Sequence, residues 1–129
     1  MVKIRVNTGT DFQAKVMADT ASTGTGAYAA ANYIGLTANT SAASATDTTL
    51  SGEITSGTLA RAQAAYAHTT GAASYTLTKT FTSDQTVTVA KIGIFNASTG
   101  GTMVFESLLG ATASLQSGDQ VAITDTVTL

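Results

Sequence analysis

Apolar and polar residues alternate along much of the chain with the period of two that is typical of β-strands. The alternation is clearest over Tyr75–Phe81 and Val121–Leu129, where threonines fill most of the intervening positions. Thr86–Asn96 alternates at first and then becomes almost entirely apolar, which is typical of a central strand buried on both faces. The glycine-ended turn Asn96–Gly101 predicts a hairpin between this strand and Thr102–Leu109.

The pattern is less regular in the N-terminal half. Val2–Val6 predicts a first strand, and the weaker alternation of Phe12–Val16 predicts a second. Ala18–Ala27 is rich in Ser, Thr and Gly and predicts a loop, whereas Tyr28–Thr37 favours a short buried strand or a helical turn. Thr37–Gly57 is a long polar segment, and a loop of that length is usually functional or packed against another surface.

Together these segments predict an all-β fold, an antiparallel β-sandwich of the jelly-roll or immunoglobulin-like kind with seven to eight strands. Leu59–His68 leaves helix and strand open, because its alanines favour a helix while its setting favours a strand. A length of 129 residues suits one domain. We expect an N-terminal arm or strand over residues 1–17 and the sandwich domain over residues 18–129.

The composition is dominated by small residues, with 26 threonines and 23 alanines, and it includes only six basic and eight acidic side chains. The absence of cysteine excludes disulfides, thiolate metal sites and a cysteine nucleophile. Disorder would need more net charge or many prolines, and the chain has a formal charge of -2 and no proline. A surface with so little charge tolerates packing against neighbours, because few charges lose their hydration there.

Half of the basic side chains lie near the N-terminus, at Lys3, Arg5 and Lys15. We predict that these three residues bind an acidic surface of a partner protein. They are too few and too dispersed for a nucleic-acid interface. The strand Val2–Val6 has two interpretations: it adds to the exposed sheet edge of a neighbour, or it forms an edge strand of the protein's own sandwich.

Residues that could carry chemistry are scarce. His68 is the only histidine, which excludes a multi-histidine metal site, and we expect its ring to bond to the backbone at a strand end. Asp47 and Glu53 lie six residues apart on a polar loop, and we expect solvated charges there instead of a catalytic acid pair. We therefore predict no enzymatic activity, no catalytic residues, no metal and no cofactor.

The N-terminal sequence also bears on location. Lys3 and Arg5 interrupt its apolar residues, so it lacks the continuous apolar core of a signal peptide. No apolar run approaches the roughly 20 residues that a membrane-spanning helix needs, and we expect no membrane partner.

The order of several short motifs resembles a known family. These motifs are YIGLTANT at 33–40, DTTL at 47–50 followed by Glu53, LARA at 59–62, YTLTKTFT at 75–82, VAKIGIFNASTGGTMVFES at 89–107 and ITDTVTL at 123–129. This order resembles a family of small virion structural proteins of tailed bacteriophages, described as capsid decoration or tail-fibre-like proteins. The GIFNASTGG hairpin is the most specific element. The resemblance implies a structural role and supplies no catalytic residues.

The resemblance and the composition together predict a non-enzymatic virion protein, assembled in the host cytoplasm. Our main expectation is a capsid decoration protein that binds the outer surface of the capsid. The alternative is a tail or fibre component that contacts the host surface or other tail proteins, which would need exposed aromatic rings for sugar stacking. Tyr28, Tyr33, Tyr66 and Tyr75 are the candidates for such rings. Expected partners are the major capsid protein or other virion proteins, and further copies of the chain, for example as a trimer.

Overall fold

In the computed structural model, the described residues form two antiparallel β-sheets, one α-helix and a short 3-10 helix. The structure describes residues 3–18 and 29–129, with side chains for all of them except residues 14–18. In chain order the elements are β1 (Lys3–Arg5), α1 (Asn7–Ala18), β2 (Tyr33–Thr37), a short 3-10 helix (Gly57–Leu59), β3 (Ala62–Gln63), β4 (Ala65–His68), β5 (Ser74–Thr82), β6 (Val87–Phe95), β7 (Met103–Leu115) and β8 (Gln120–Thr128).

The strands form a five-stranded sheet in the order β1-β7-β6-β2-β3 and a three-stranded sheet in the order β4-β5-β8. Every described pair is antiparallel. This architecture confirms the predicted β-sandwich, with eight strands among the described residues. The predicted hairpin is β6–β7, although β7 continues six residues beyond the predicted end at Leu109.

The main core lies between the two sheets. In the three-stranded sheet every second residue faces the other sheet, so Leu77 and Phe81 of β5 are buried while the threonines between them are exposed. The five-stranded sheet contributes Ile92 and Ile94 of β6 from its inner face. The alternation seen in the sequence is therefore the alternation between core and solvent.

A third layer covers the outer face of the five-stranded sheet. The segment 38–56 crosses this face, and its Leu50 packs with Phe95 and Met103 in a second buried cluster. Ile54 donates a backbone hydrogen bond to Leu36 of β2, with an N···O distance of 2.9 Å. Strand β6 is thus buried on both faces, as its apolar run predicted, and the long polar segment packs against the protein's own sheet.

The predicted second strand over Phe12–Val16 is wrong, because these residues belong to helix α1. Gly9 is buried and Phe12 and Gln13 are half-buried, a spacing of three and four residues that is typical of a helix face. The helix packs on β7, where the Thr8 hydroxyl donates to the Met103 carbonyl at 3.0 Å. The contact with the sheet therefore favours a helix here, although apolar and polar residues alternate with a period of two in the sequence.

The first strand lies in the protein's own sheet. Lys3, Ile4 and Arg5 pair with Ser107, Glu106 and Phe105 at the edge of the five-stranded sheet. The ambiguous segment Leu59–His68 contains both kinds of structure, since a 3-10 turn ends at Leu59 and two short strands follow. The predicted loop Ala18–Ala27 lies outside the described residues, apart from the backbone of Ala18 at the end of α1.

Candidate functional site

The guanidinium of Arg61 is the centre of one polar cluster. It donates two hydrogen bonds to the Glu53 carboxylate, at 2.8 and 2.7 Å, and two more to the carbonyl oxygens of Ala97 and Gly100 in the hairpin turn, at 3.0 and 2.8 Å. Its flat face lies 3.4 Å from the centroid of the Phe95 ring. Arg61 therefore fixes the turn between β6 and β7 to the 38–56 segment.

Two glycines make room for this cluster. Gly35 and Gly93 face each other across β2 and β6. A Cβ on Gly93 would lie 2.9 Å from the Phe95 ring, and one on Gly35 would lie 2.7 Å from a Glu53 carboxylate oxygen. The ring and the carboxylate thus occupy the space that two side chains would fill.

The cluster gives a structural meaning to the residues that carry the family resemblance. Glu53, Arg61 and Phe95 come from three separate motifs, and their contacts hold one turn in place. The expectation that Glu53 is a solvated charge is wrong, because its side chain is 13% exposed and is paired with Arg61. Sequence reasoning missed this pair because its partners lie eight residues apart in an irregular segment.

A second cluster lies beneath the 38–56 segment, where Lys91 of β6 and Glu106 of β7 form a buried ion pair. The Lys91 Nζ lies 2.9 Å from Glu106 Oε1 and donates to the Ser41 carbonyl at 3.1 Å. Both side chains are nearly inaccessible, with 2% and 1% exposure. The pair forms the floor of a polar cleft of about 380 Å³, whose wall includes Asp47.

The electrostatics of this cluster depend on Asp47. Burial raises the pKa of Glu106 above its ordinary value, and the neighbouring carboxylate of Asp47 raises it further. The hydrogen bond and the charge of Lys91 oppose this change. Burial, assisted by the Asp47 carboxylate, outweighs Lys91, so Glu106 binds a proton at higher pH than an ordinary glutamate does.

Of the three predicted partner-binding residues, Lys3 and Arg5 are half-buried and contact other residues of the protein. Lys3 Nζ lies 2.5 Å from the fully buried Asp125 of β8 and donates to the Thr126 carbonyl at 2.8 Å, so it connects the two sheets. Arg5 donates to Gln13 and lies over the Phe105 ring, 5.2 Å from its centroid. Lys15 lies in α1, and its side chain is outside the described residues. Binding of a partner by these residues stays a prediction.

His68 lies at a strand end and its ring contacts the backbone, as expected. It ends β4, and its Nδ1 lies 3.0 Å from the carbonyl oxygen of Ser74. Within residues 3–18 and 29–129, no three side chains of His, Asp or Glu come together as a metal ion would require. No helix in those same ranges is long and apolar enough to cross a membrane.

The outer face of the three-stranded sheet is a broad surface without charge, which we call the threonine face. It consists of Ala65, Ala67, Ser74, Thr76, Thr78, Thr80, Thr82, Gln120, Ala122, Thr124, Thr126 and Thr128. Threonines pair directly across β5 and β8, as Thr76 does with Thr126 and Thr78 with Thr124. Strands of nine residues make this face about 30 Å long.

Among the four candidate tyrosines, Tyr66 is the one that the structure exposes. Its side chain is 62% exposed, whereas Tyr33 and Tyr75 are half-buried and Tyr28 lies outside the described residues. The rings of Tyr66 and Tyr75 have centroids 5.5 Å apart and planes at 48°. They border a groove of about 330 Å³, here called the tyrosine groove, which Ala30, Ala31, Asn32 and Leu77 complete.

Residues 9–128 match the family described as podophage GP4 fiber I protein gp80. The chain belongs to this family. The match covers nearly the whole described chain and confirms the resemblance to virion structural proteins of tailed phages. Its description as a fibre protein agrees better with the tail or fibre alternative than with capsid decoration. No curated protein matches the chain.

Proposed function

We propose that the protein is a non-enzymatic component of a tailed-phage fibre, which contacts the host surface or other tail proteins. The observation that carries this proposal is the match of residues 9–128 to a fibre family. The geometry supports it, because the ion pairs of Arg61, Lys91 and Lys3 hold turns, strands and sheets together. The threonine face has no charged side chain and is suited to contact with other molecules.

The partners in this proposal are other virion proteins, including further copies of the chain. The threonine face favours a second copy, because a charged partner surface would lose hydration against it without gaining a counter-charge. Two uncharged threonine faces complement each other in this respect. Strand β8 also has no partner on its outer side among the described strands, so a neighbour can extend the sheet there.

The test is to locate the protein in intact particles. The chain is tagged at its C-terminus in the phage genome, and purified particles are imaged by electron microscopy with a labelled antibody. Label on fibres is the expected result. Label distributed over the capsid shell would instead support capsid decoration, and absence of the protein from purified particles would contradict a virion role.

A further inference from the structure

The tyrosine groove combines an exposed aromatic ring with polar groups that have no hydrogen-bond partner among the described residues. The ring of Tyr66 forms one wall and that of Tyr75 the next, inclined at 48°. Neither phenol hydroxyl, nor the side-chain amide of Asn32, makes a hydrogen bond to any residue that the structure describes. Apolar walls with a few convergent polar groups are the usual composition of a small-ligand site.

The uncharged lining of the groove indicates which kind of ligand it can bind. None of the six lining side chains is charged. Burial and the nearby Asp125 carboxylate raise the pKa of Tyr75, while Arg5 opposes them, so its hydroxyl keeps its proton and can donate a hydrogen bond. None of the six lining side chains could supply a counter-charge to a charged ligand, which would lose hydration on entering the groove. The groove therefore favours a neutral ligand with hydroxyl groups.

A pyranose ring has the required chemistry. One of its faces presents C–H groups that pack on an aromatic ring, and its edge presents hydroxyls that both donate and accept hydrogen bonds. We infer that the tyrosine groove binds an uncharged sugar residue of a surface polysaccharide. Tyr66 is the stacking platform, and Asn32 and the Tyr75 hydroxyl bind the sugar hydroxyls. A volume of about 330 Å³ is at the lower end for ligand sites and suits one sugar residue.

This inference rests on the proposed fibre function, because a fibre that contacts a host meets its surface polysaccharides. A single groove with one exposed ring gives weak binding, in the millimolar range. Several copies in one fibre would bind a repeating polysaccharide much more tightly than one copy does.

The test is saturation-transfer NMR with the full-length protein and a panel of neutral methyl pyranosides: glucoside, galactoside, mannoside, rhamnoside and N-acetylglucosaminide. Irradiation of the aromatic protons saturates mainly the four tyrosines and four phenylalanines, because the chain has no tryptophan. We expect transfer to the C–H protons of at least one pyranoside. Tyr66→Ala should weaken its binding by about tenfold or more, whereas Tyr66→Phe, which keeps the ring, should retain it.

Two further variants make the result decisive. Asn32→Ala should also weaken binding, and Thr124→Ala, on the threonine face, should leave it unchanged. The inference is overturned if no pyranoside binds, or if Tyr66→Ala binds as well as the wild type. It is also overturned if Tyr66→Ala lowers the melting temperature as a core truncation does, because the ring would then be an internal contact. Particles that carry Tyr66→Ala separate the two proposals, since normal incorporation into fibres without sugar binding leaves the fibre function standing.

Discussion

Arg61 illustrates how much of this fold depends on single polar side chains. A lysine at this position would keep the charge but lose the fork of hydrogen bonds to Glu53 and the flat contact with Phe95. We predict that Arg61→Lys lowers the free energy of unfolding by about 2–3 kcal/mol, measured by urea denaturation. Lys79→Gln is the control, because Lys79 makes no ion pair within the described residues, and it should change stability by less than about 0.5 kcal/mol. Equal effects of the two changes would contradict this role of Arg61.

The buried pair of Lys91 and Glu106 leads to a sharper prediction. Glu106→Gln removes the direct counter-charge of the buried Lys91 ammonium, and the Asp47 carboxylate beside the same cleft compensates part of it, so we expect a loss of about 1–3 kcal/mol of unfolding free energy. The double variant Lys91→Met with Glu106→Leu removes both charges and should recover most of that loss. Thermal or urea unfolding of the three variants gives the comparison. If the double variant is as unstable as Glu106→Gln, then altered packing, and not the unpaired charge, causes most of the loss of stability.

The raised pKa of Glu106 predicts how this site responds to pH. The folded protein binds the Glu106 proton more tightly than the unfolded chain does, so this group contributes stability below its ordinary pKa. That contribution is lost as the pH rises through the higher pKa of the folded state. Asp47→Asn removes the neighbouring carboxylate and should lower the pKa of Glu106, moving the loss to lower pH. Carbon-13 NMR titration of the Glu106 carboxyl measures this directly, and an unchanged pKa in Asp47→Asn would contradict the assigned cause.

At the level of elements, the contact between α1 and β7 depends on Gly9. A Cβ at this position would collide with the carbonyl group of Val104, and backbone cannot easily move away. We predict that Gly9→Ala displaces the helix and destabilises the protein by about 2–3 kcal/mol, although alanine is the better helix former. Gly110→Ala, in an open position of β7, is the matched control and should be close to neutral. Faster hydrogen exchange over residues 7–18 in Gly9→Ala alone would confirm the displacement.

Strands such as β5 and β8 could be predicted from the sequence because they bury one face and expose the other. Leu77 and Phe81 face the core at alternate positions, and the same period of two is visible in the printed chain. Helix α1 could not be predicted in this way, since the contact that decides it is between Gly9 and β7, about a hundred residues further along the chain. The polar segment Thr37–Gly57 is long enough to predict a packed or functional loop, but nothing in its sequence identifies the protein's own sheet as its contact.

The candidate sites were less predictable than the fold. The sequence identifies Tyr66 as one of four tyrosines, but its exposure follows from the position of β4 at the edge of the sheet. The sequence shows that half of the basic residues, among them Lys3 and Arg5, lie near the N-terminus. Only the folded chain brings Lys3 to Asp125, which is 122 residues away in sequence. Pairings between distant residues leave no periodic signal, and that is why local patterns do not reveal them.

At the scale of the whole molecule, Lys3 decides between an internal and an external role for the first strand. It compensates the fully buried Asp125 of the opposite sheet. We predict that Lys3→Met destabilises the isolated protein by about 3 kcal/mol, because Asp125 then stays buried without its cation. Deletion of residues 1–8 should be more damaging, since it also removes β1 and the start of α1. A deletion variant that keeps its melting temperature but no longer enters particles would instead show that the segment is an attachment arm.

Association between copies is the second prediction at this scale. Thr124→Lys introduces a charge in the middle of the threonine face and should weaken self-association at least tenfold, measured by analytical ultracentrifugation. Thr48→Lys adds the same charge on the exposed surface of the 38–56 segment and should leave association unchanged. An effect of both variants alike would indicate that net charge, and not the threonine face, controls association.

The lack of charge on the threonine face also determines how its contacts respond to salt. Interactions between exposed charges are largely screened beyond the Debye length, which is about 8 Å at physiological ionic strength and shorter in seawater. Contacts made by threonine and alanine side chains have no Coulomb energy to lose, and salts such as sulfate strengthen them by being excluded from the surface. A fibre assembled through this face should therefore keep its strength from fresh water to brine.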